Sequence, residues 1–219
     1  MTEGSHLFSG AGLFCRRSER LVFAELDFSV ATGGALLLIG PNGSGKSSLL
    51  RLMAGLIKPY AGRLEWDGLP VRDDPAAHRE RLAYLGHQDA LKPVLTTIEN
   101  VRQWVGLLGR ADRAEAALAA MELAHLTDLP ARFLSSGQRR RMALARVVAS
   151  GAALWLLDEP TVGLDTVSIA ALERALAAHR ASGGMVVAAT HQGIVLPDAR
   201  QLDLAAFAVS DLPESSEPA

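Results

Sequence analysis

The stretch Gly40-Pro41-Asn42-Gly43-Ser44-Gly45-Lys46-Ser47 constrains this chain more than any other, because it meets the phosphate-binding pattern G-x-x-x-x-G-K-[ST] at every required position. The apolar run Ala35 to Ile39 before it reads as a buried parallel strand, and a helical pattern follows from Ser47 through Leu52 and Ala54. Glycines at 40, 43 and 45 let the backbone turn tightly and present successive N–H groups. The following helix adds its positive end, so the loop becomes a cradle for phosphate oxygens. Lys46 would reach the β- and γ-phosphates of a nucleotide, Ser47 would ligate Mg²⁺, and Ser48 completes the binding set.

The segments around this loop predict an α/β fold with a mainly parallel sheet. Residues 7 to 32 read as short strands about a turn at Arg16 to Arg20, and Arg63 to Leu69 reads as a hairpin turning at Asp67-Gly68, so an antiparallel β subdomain is expected beside the loop. Thr96-x-x-Glu99 is a capping box for a helix with Ile98, Val101, Val105 and Leu108 on one face. A second helix is expected from Ala111 to His125 and a third from near Gly137 to about Val148, making residues 90 to 150 a helical insertion. Ala153 to Leu157 and Met185 to Ala189 are further core strands, with a helix capped by Asp165 between them and ended by Gly183-Gly184. One domain over residues 1–210 is expected, followed by a polar, Pro-containing tail, 211–219, whose composition predicts disorder.

Two more stretches carry chemistry. A buried strand ending in Asp158 places a carboxylate where parallel strand ends converge on the phosphate loop, suited to holding Mg²⁺ directly or through water. Adjacent Glu159 is placed to polarise an attacking water. Leu134-Ser135-Ser136-Gly137-Gln138 opens a helix and so forms a second anion site. Arg139, Arg140 and Arg141 then crowd a helix start, where the macrodipole disfavours cations; either an anion or acidic partner offsets them, or they fan into solvent.

Composition narrows the function classes. With 24 acidic against 22 basic residues and a net charge of −2, the chain lacks a basic footprint for nucleic acid. The single Cys15 forms no internal disulfide, which favours a reducing compartment. The first residues do not resemble a secretory leader, and no apolar run approaches the ~20 residues that span a bilayer. A membrane role would therefore need another subunit to hold the chain there.

Taken in order, five motifs resemble those of the nucleotide-binding subunits of ABC transporters over essentially the whole chain. Gly40 to Ser47 looks like Walker A, Gln88 like the Q-loop, Leu134 to Gln138 like the signature, Leu154 to Glu159 like Walker B and His191 like the switch histidine, while Asp165 matches the D-loop. The resemblance implies an ATPase that works as a head-to-tail dimer, with Walker A of one copy and Ser135, Ser136, Gly137 and Gln138 of the other enclosing each ATP. It also implies that Gln88 senses Mg²⁺ and the attacking water, that His191 contacts the γ-phosphate, and that integral membrane subunits hold the chain at the cytoplasmic face of the membrane.

Tyr84-Leu85-Gly86-His87-Gln88, the Cys15 to Arg20 turn and Ala189-Thr190-His191-Gln192 further resemble the ATP-binding subunit of the haem exporter in cytochrome c maturation. An ABC transporter for another cargo, or a soluble ABC ATPase acting on DNA or ribosomes, is the alternative; the second class generally carries a coiled-coil insertion or paired ATPase units that this chain lacks. Two departures stand out. Where the family often stacks an aromatic on adenine, this chain has Arg16 or Arg17, with Phe14 nearby, and Ser136 replaces the first signature glycine. Leu91, Val94, Leu95 and Trp104, after Gln88, are either a groove for a membrane-subunit helix or ordinary core.

Overall fold

The computed structural model describes residues 5–18, 20–191 and 193–209; the 211–219 tail lies outside them. Strands β1 (Leu7–Arg17) and β2 (Arg20–Ala31) form one antiparallel ribbon, paired from Leu7 with Ala31 to Arg17 with Arg20. It is longer than the short strands expected. Its alternation is imperfect because register shifts after Gly10, Leu13 and Cys15 insert bulges, with Gly12 and Glu25 in left-handed conformations. Phe8, Leu13, Phe23 and Leu26 still face inward and are fully buried.

Next come β3 (Ala35–Ile39), α1 (Lys46–Met53), β4 (Ala61–Trp66) and β5 (Leu69–Pro70). The β4–β5 hairpin turns at Asp67 (φ 52°) and Gly68 (φ 80°), the two positive φ values that a tight two-residue turn requires. Then follow α2 (Pro75–Arg81), β6 (Leu82–Leu85), α3 (Thr97–Gly106), α4 (Ala114–Ala120) and α5 (Ser136–Ser150). The described chain closes with β7 (Leu154–Asp158), α6 (Thr166–Ala181), β8 (Met185–Ala189) and β9 (Arg200–Asp203).

Two sheets result. The antiparallel sheet runs β2-β1-β4-β5, and the other, parallel throughout, runs β6-β7-β8-β3-β9. Both faces of the parallel sheet are covered, so its strands are apolar on both sides. Leu36, Leu38, Leu154, Leu156 and Val187 pack with α1 and the antiparallel sheet, whereas Trp155, Leu157, Val186 and Ala188 pack with α3, α4, α5 and α6. Because all five strands run the same way, the phosphate loop, Asp158 and the segment after Ala189 emerge at one edge.

Caps define the helices largely as expected. Thr96 and Glu99 bond reciprocally at the start of α3, and Asp165 Oδ1 accepts the Ser168 N–H at 2.8 Å to begin α6. Two expectations fail. Leu108 lies beyond α3 and is 45% exposed. The helix expected over 111–125 is α-helical only from Ala114 to Ala120, with 3-10 turns at Ala111–Arg113 and Ala124–Leu126. Glu122 (φ 57°) ends it: the Leu123 N–H bonds to Leu118 O and the Glu122 N–H to Ala119 O, a Schellman closure in which both leucines are buried.

Candidate nucleotide site

The phosphate loop joins β3 to α1 and is held against the β1–β2 ribbon. Gly45 (φ 102°) has no room for a side chain, since a Cβ there would stand 2.7 Å from Val22 Cγ1 and 3.0 Å from Phe23 Cδ1. Lys46 is 7% exposed and folds back over the loop, its Nζ donating to Gly40 O at 2.7 Å and Pro41 O at 2.9 Å. Its charge is thereby held against the start of the loop. Ser44 Oγ is buried in the same loop with no partner among the described residues.

Parallel pairing brings the acidic pair to this loop. Leu38 and Asp158 both lie opposite Ala189, so β8 separates the β3 and β7 ends by one strand. The Ser47 hydroxyl donates to Asp158 Oδ1 at 2.9 Å across 111 residues of sequence. Asp158 is 3% exposed and its Oδ2 is buried without a hydrogen-bond partner among the described residues. A hydroxyl beside a carboxylate with one free oxygen fits Mg²⁺, which takes few protein ligands and fills its octahedron with water and phosphate oxygens. No cluster of three or more His, Cys, Asp or Glu exists among the described residues, so the donor set does not form an all-protein metal cage.

Glu159 is set by its backbone. Its φ of 50° is left-handed, unusual for a residue with a side chain, and its N–H donates to Ala189 O at 2.8 Å. This kink turns the carboxylate to the β8 end, where Oε2 accepts the His191 N–H at 3.2 Å and Oε1 lies 3.6 Å from His191 Nε2. One edge thus gathers Lys46, Ser47, Asp158, Glu159 and His191. Gln88 lies in the loop after β6 with an exposed side chain that makes no hydrogen bond among the described residues.

The segment carrying Ser135, Ser136, Gly137 and Gln138 does not join the phosphate loop by any hydrogen bond or ion pair among the described residues. Ser135 Oγ accepts the Gln138 N–H at 3.2 Å and Gln138 Oε1 accepts the Ser135 N–H at 2.8 Å, so these side chains satisfy each other. The N–H groups of Ser136 and Gly137 take no acceptor from this box. Gly137 is constrained sterically and not by a positive φ: a Cβ would stand 2.7 Å from Gly163 O. Asp165 stays exposed as the α6 cap, its carboxyl held low by its hydrogen bonds from Ser168.

The acidic partner expected for the three arginines is found for Arg140, in Asp89, and the other two do not simply fan into solvent. Arg139 Nη1 donates to Leu134 O at 2.6 Å and Arg141 Nη1 to Glu122 O at 3.1 Å. Arg140 is 5% exposed and spans the site: Nη2 donates to Asp158 O and Glu159 O, and Nη1 to Gly86 O and Asp89 Oδ1. Each guanidinium thus grips backbone carbonyls, which offset the unfavourable dipole. Arg146, six residues further along α5, binds Ala90 O at 2.8 Å and Asp89 O, and burial lowers its pKa to about 10. The Q-loop segment is therefore clamped by α5, a role that sequence reasoning missed.

At the ribbon tip, the Arg16 guanidinium lies 4.6 Å over the Tyr60 ring, and the Tyr60 N–H donates to Phe14 O at 2.8 Å. The apolar set after Gln88 divides: Val94 is 73% and Trp104 52% exposed, whereas Leu91 packs on the helical core. Among the described residues no helix is long and apolar enough to cross a membrane.

Comparison with known proteins agrees with this geometry. Residues 23–162 match the family model described as ABC transporter. The cytochrome c biogenesis ATP-binding export protein CcmA of Rhodospirillum rubrum is 56% identical over 207 residues, covering 94% of this chain and 89% of the relative. The protein of the same name from Paramagnetospirillum magneticum is 54% identical over 209 residues, covering 93% and 96%. A solved ATP-binding subunit of an ABC transporter superposes with a TM-score of 0.77 at 26% identity, covering 84% of this chain and 79% of that one. With the match spanning the phosphate loop, the signature segment and the acidic strand end, the chain belongs to the ABC transporter family, among its ATP-binding export proteins.

Proposed function

We propose that this chain is the ATP-hydrolysing subunit of a transporter that exports haem or a haem-loaded carrier for cytochrome c biogenesis. The observation that carries the ATPase reading is the convergence of Ser47, Asp158, Glu159 and His191 on the phosphate loop. The assignment to cytochrome c biogenesis is supported by relatives more than half identical along nearly the whole chain.

In this reading the loop N–H groups and Lys46 bind the β- and γ-phosphates, and Lys46 exchanges its contacts with Gly40 O and Pro41 O for phosphate oxygens. Ser47 and Asp158 would hold Mg²⁺, which supplies charge neutralisation between the phosphates. Glu159 accepts a proton from the attacking water as oxygen adds to the γ-phosphorus and the bond to the β–γ bridging oxygen breaks, giving ADP and phosphate. His191 orients that carboxylate and meets the γ-phosphate, and Gln88 contributes from its loop. Ser135 to Gln138 complete the site of a second copy, where the N–H groups of Ser136 and Gly137 meet the γ-phosphate and Asp165 lies at the junction. The chain is peripheral, held at the cytoplasmic face by membrane subunits.

The test is Glu159→Gln in the full chain, purified with ATP from solubilised membranes. Hydrolysis should fall about 10²–10⁴-fold with ATP retained in a dimer, and multi-pass partners with a haem-carrying protein should co-purify. Undiminished turnover would remove the mechanism, and membrane partners without haem would remove the cargo.

A further inference from the structure

At the other edge of the parallel sheet, where β7 and β8 begin, a cleft of about 720 Å³ opens between the sheet and the ends of α4, α5 and α6. Small residues form its floor, among them Ala120, Ala152, Ala153 and Ala178. One wall is the Trp155 ring, 4% exposed, on which the His179 ring lies flat at 3.9 Å with 6° between planes. Burial pushes the His179 pKa down to about 4, so the stacked ring is neutral at ordinary pH and its Nε2 faces Met185 O at 3.3 Å.

Thr32, His179 and Ser182 around this cleft are already hydrogen-bonded, but two donors beside it have no acceptor. Trp155 Nε1 is buried with no partner among the described residues, and so is Arg110 Nη1. Arg113 lines the cleft, and its Nη1 and that of Arg110 crowd the single point where a Cβ would stand on Gly151, the residue that ends α5. Among the described residues no aspartate or glutamate lines the cleft. Proximity to the negative end of α5 accounts for a cation here, yet neither guanidinium, that of the exposed Arg113 nor that of the half-buried Arg110, is hydrogen-bonded to a closing carbonyl of that helix, and two adjacent guanidiniums repel. Paired arginine forks are matched by the oxygens of a carboxylate or phosphate.

We propose that this cleft is a second ligand site, separate from the nucleotide loop, which binds a small oxyanion carried on an apolar body. Its oxygens pair with Arg113, with the Arg110 charge close behind, and accept the indole N–H, while the apolar body lies along the alanine floor. The site sits at the amino ends of the strands, whereas the phosphate loop sits at their carboxyl ends, so the two can be filled together.

The probe is benzene-1,2-dicarboxylate, titrated calorimetrically into the full chain. Saturable binding is expected, weakened at least tenfold in Arg110→Gln/Arg113→Gln and several-fold in Trp155→Phe, which keeps an aromatic ring for stacking and removes the donor together with part of the ring volume. Lys46→Ala should leave it unchanged. Thermal melting establishes that each variant is folded; if the double variant is not, Trp155→Phe and Arg113→Gln alone carry the test. No binding up to about 10 mM probe, equal binding in the folded variants, or loss in Lys46→Ala would overturn the proposal.

Discussion

Arg140 Nη2 donates to the carbonyl oxygen of Asp158 at 2.6 Å, so a residue of the signature helix is bonded directly to the strand end that carries both site carboxylates. The same guanidinium holds Glu159 O at 2.8 Å, Gly86 O at 2.9 Å and the Asp89 carboxylate at 3.1 Å. A planar fork is needed for this, because a lysine ammonium, with three donors, cannot serve three carbonyls and a carboxylate at once. Arg140→Ala should lower kcat for ATP hydrolysis by about 10–100-fold with a smaller change in KM, and Arg140→Lys should recover only part. Steady-state kinetics at several ATP concentrations check the split; an equal rise in KM at constant kcat would show that Arg140 serves nucleotide binding instead.

The Ser47–Asp158 contact predicts a metal phenotype. Ser47→Ala removes one oxygen donor and leaves Asp158 Oδ1 without its partner, and Asp158→Asn weakens the charge opposite the phosphates. Each should raise the Mg²⁺ concentration for half-maximal hydrolysis by about tenfold or more. Titrating Mg²⁺ at saturating ATP measures this, and an unchanged midpoint would remove both residues from the metal set.

Gly137→Ala should destabilise the fold as well as the site. The new Cβ would press on Gly163 O at 2.7 Å, a backbone atom that cannot rotate away, so α5 and the loop before α6 must part. A cost of about 1–3 kcal/mol is expected, read as a lowered Tm. Ser136→Ala next to it meets no such obstacle and is the control.

His179 makes stability depend on pH. Its ordinary pKa of 6.5 is depressed to about 4 in the fold, chiefly by burial. The unfolded chain therefore binds the extra proton first as pH falls. The contribution is complete above pH 6.5, declines as pH drops, and is lost by about pH 4, an effect on the order of 2–3 kcal/mol. His78, buried between Trp66 Nε1 and Met53 O, is shifted in the same direction, again mainly by burial. His179→Phe retains a ring against Trp155 and should flatten the pH dependence; urea unfolding at pH 4.5 and 7 compares the slopes.

Much of this was legible in the chain itself. Ala35 to Ile39, Ala153 to Leu157 and Met185 to Ala189 are apolar runs too short for helices, and they are adjacent parallel strands. Thr96, Asp165 and the Asp67-Gly68 turn act through their immediate neighbours, which is why local patterns located them. What escaped depends on partners that leave no side-chain signature. Glu122 ends a helix in a conformation usually left to glycine, and the acceptors for Arg139, Arg140 and Arg141 are, apart from the Asp89 carboxylate, backbone carbonyls, mostly distant in sequence. The Ser135-x-x-Gln138 spacing did announce a capping box, but the pair read as an anion site because helix starts serve both purposes.

The order of strands also bears on how the protein comes into being. β3, which delivers the phosphate loop, has β8 and β9 as its neighbours, pairing Ala35 with Val186 and Leu36 with Arg200. On the ribosome the loop is therefore made early yet stays without a flanking strand until nearly all the described chain has been synthesised. Contacts of such long sequence separation form slowly and leave apolar strands exposed meanwhile. The strands that flank the phosphate loop, and the Asp158 carboxylate that meets Ser47, are thus all supplied late, so the loop reaches its final setting only when the sheet is complete.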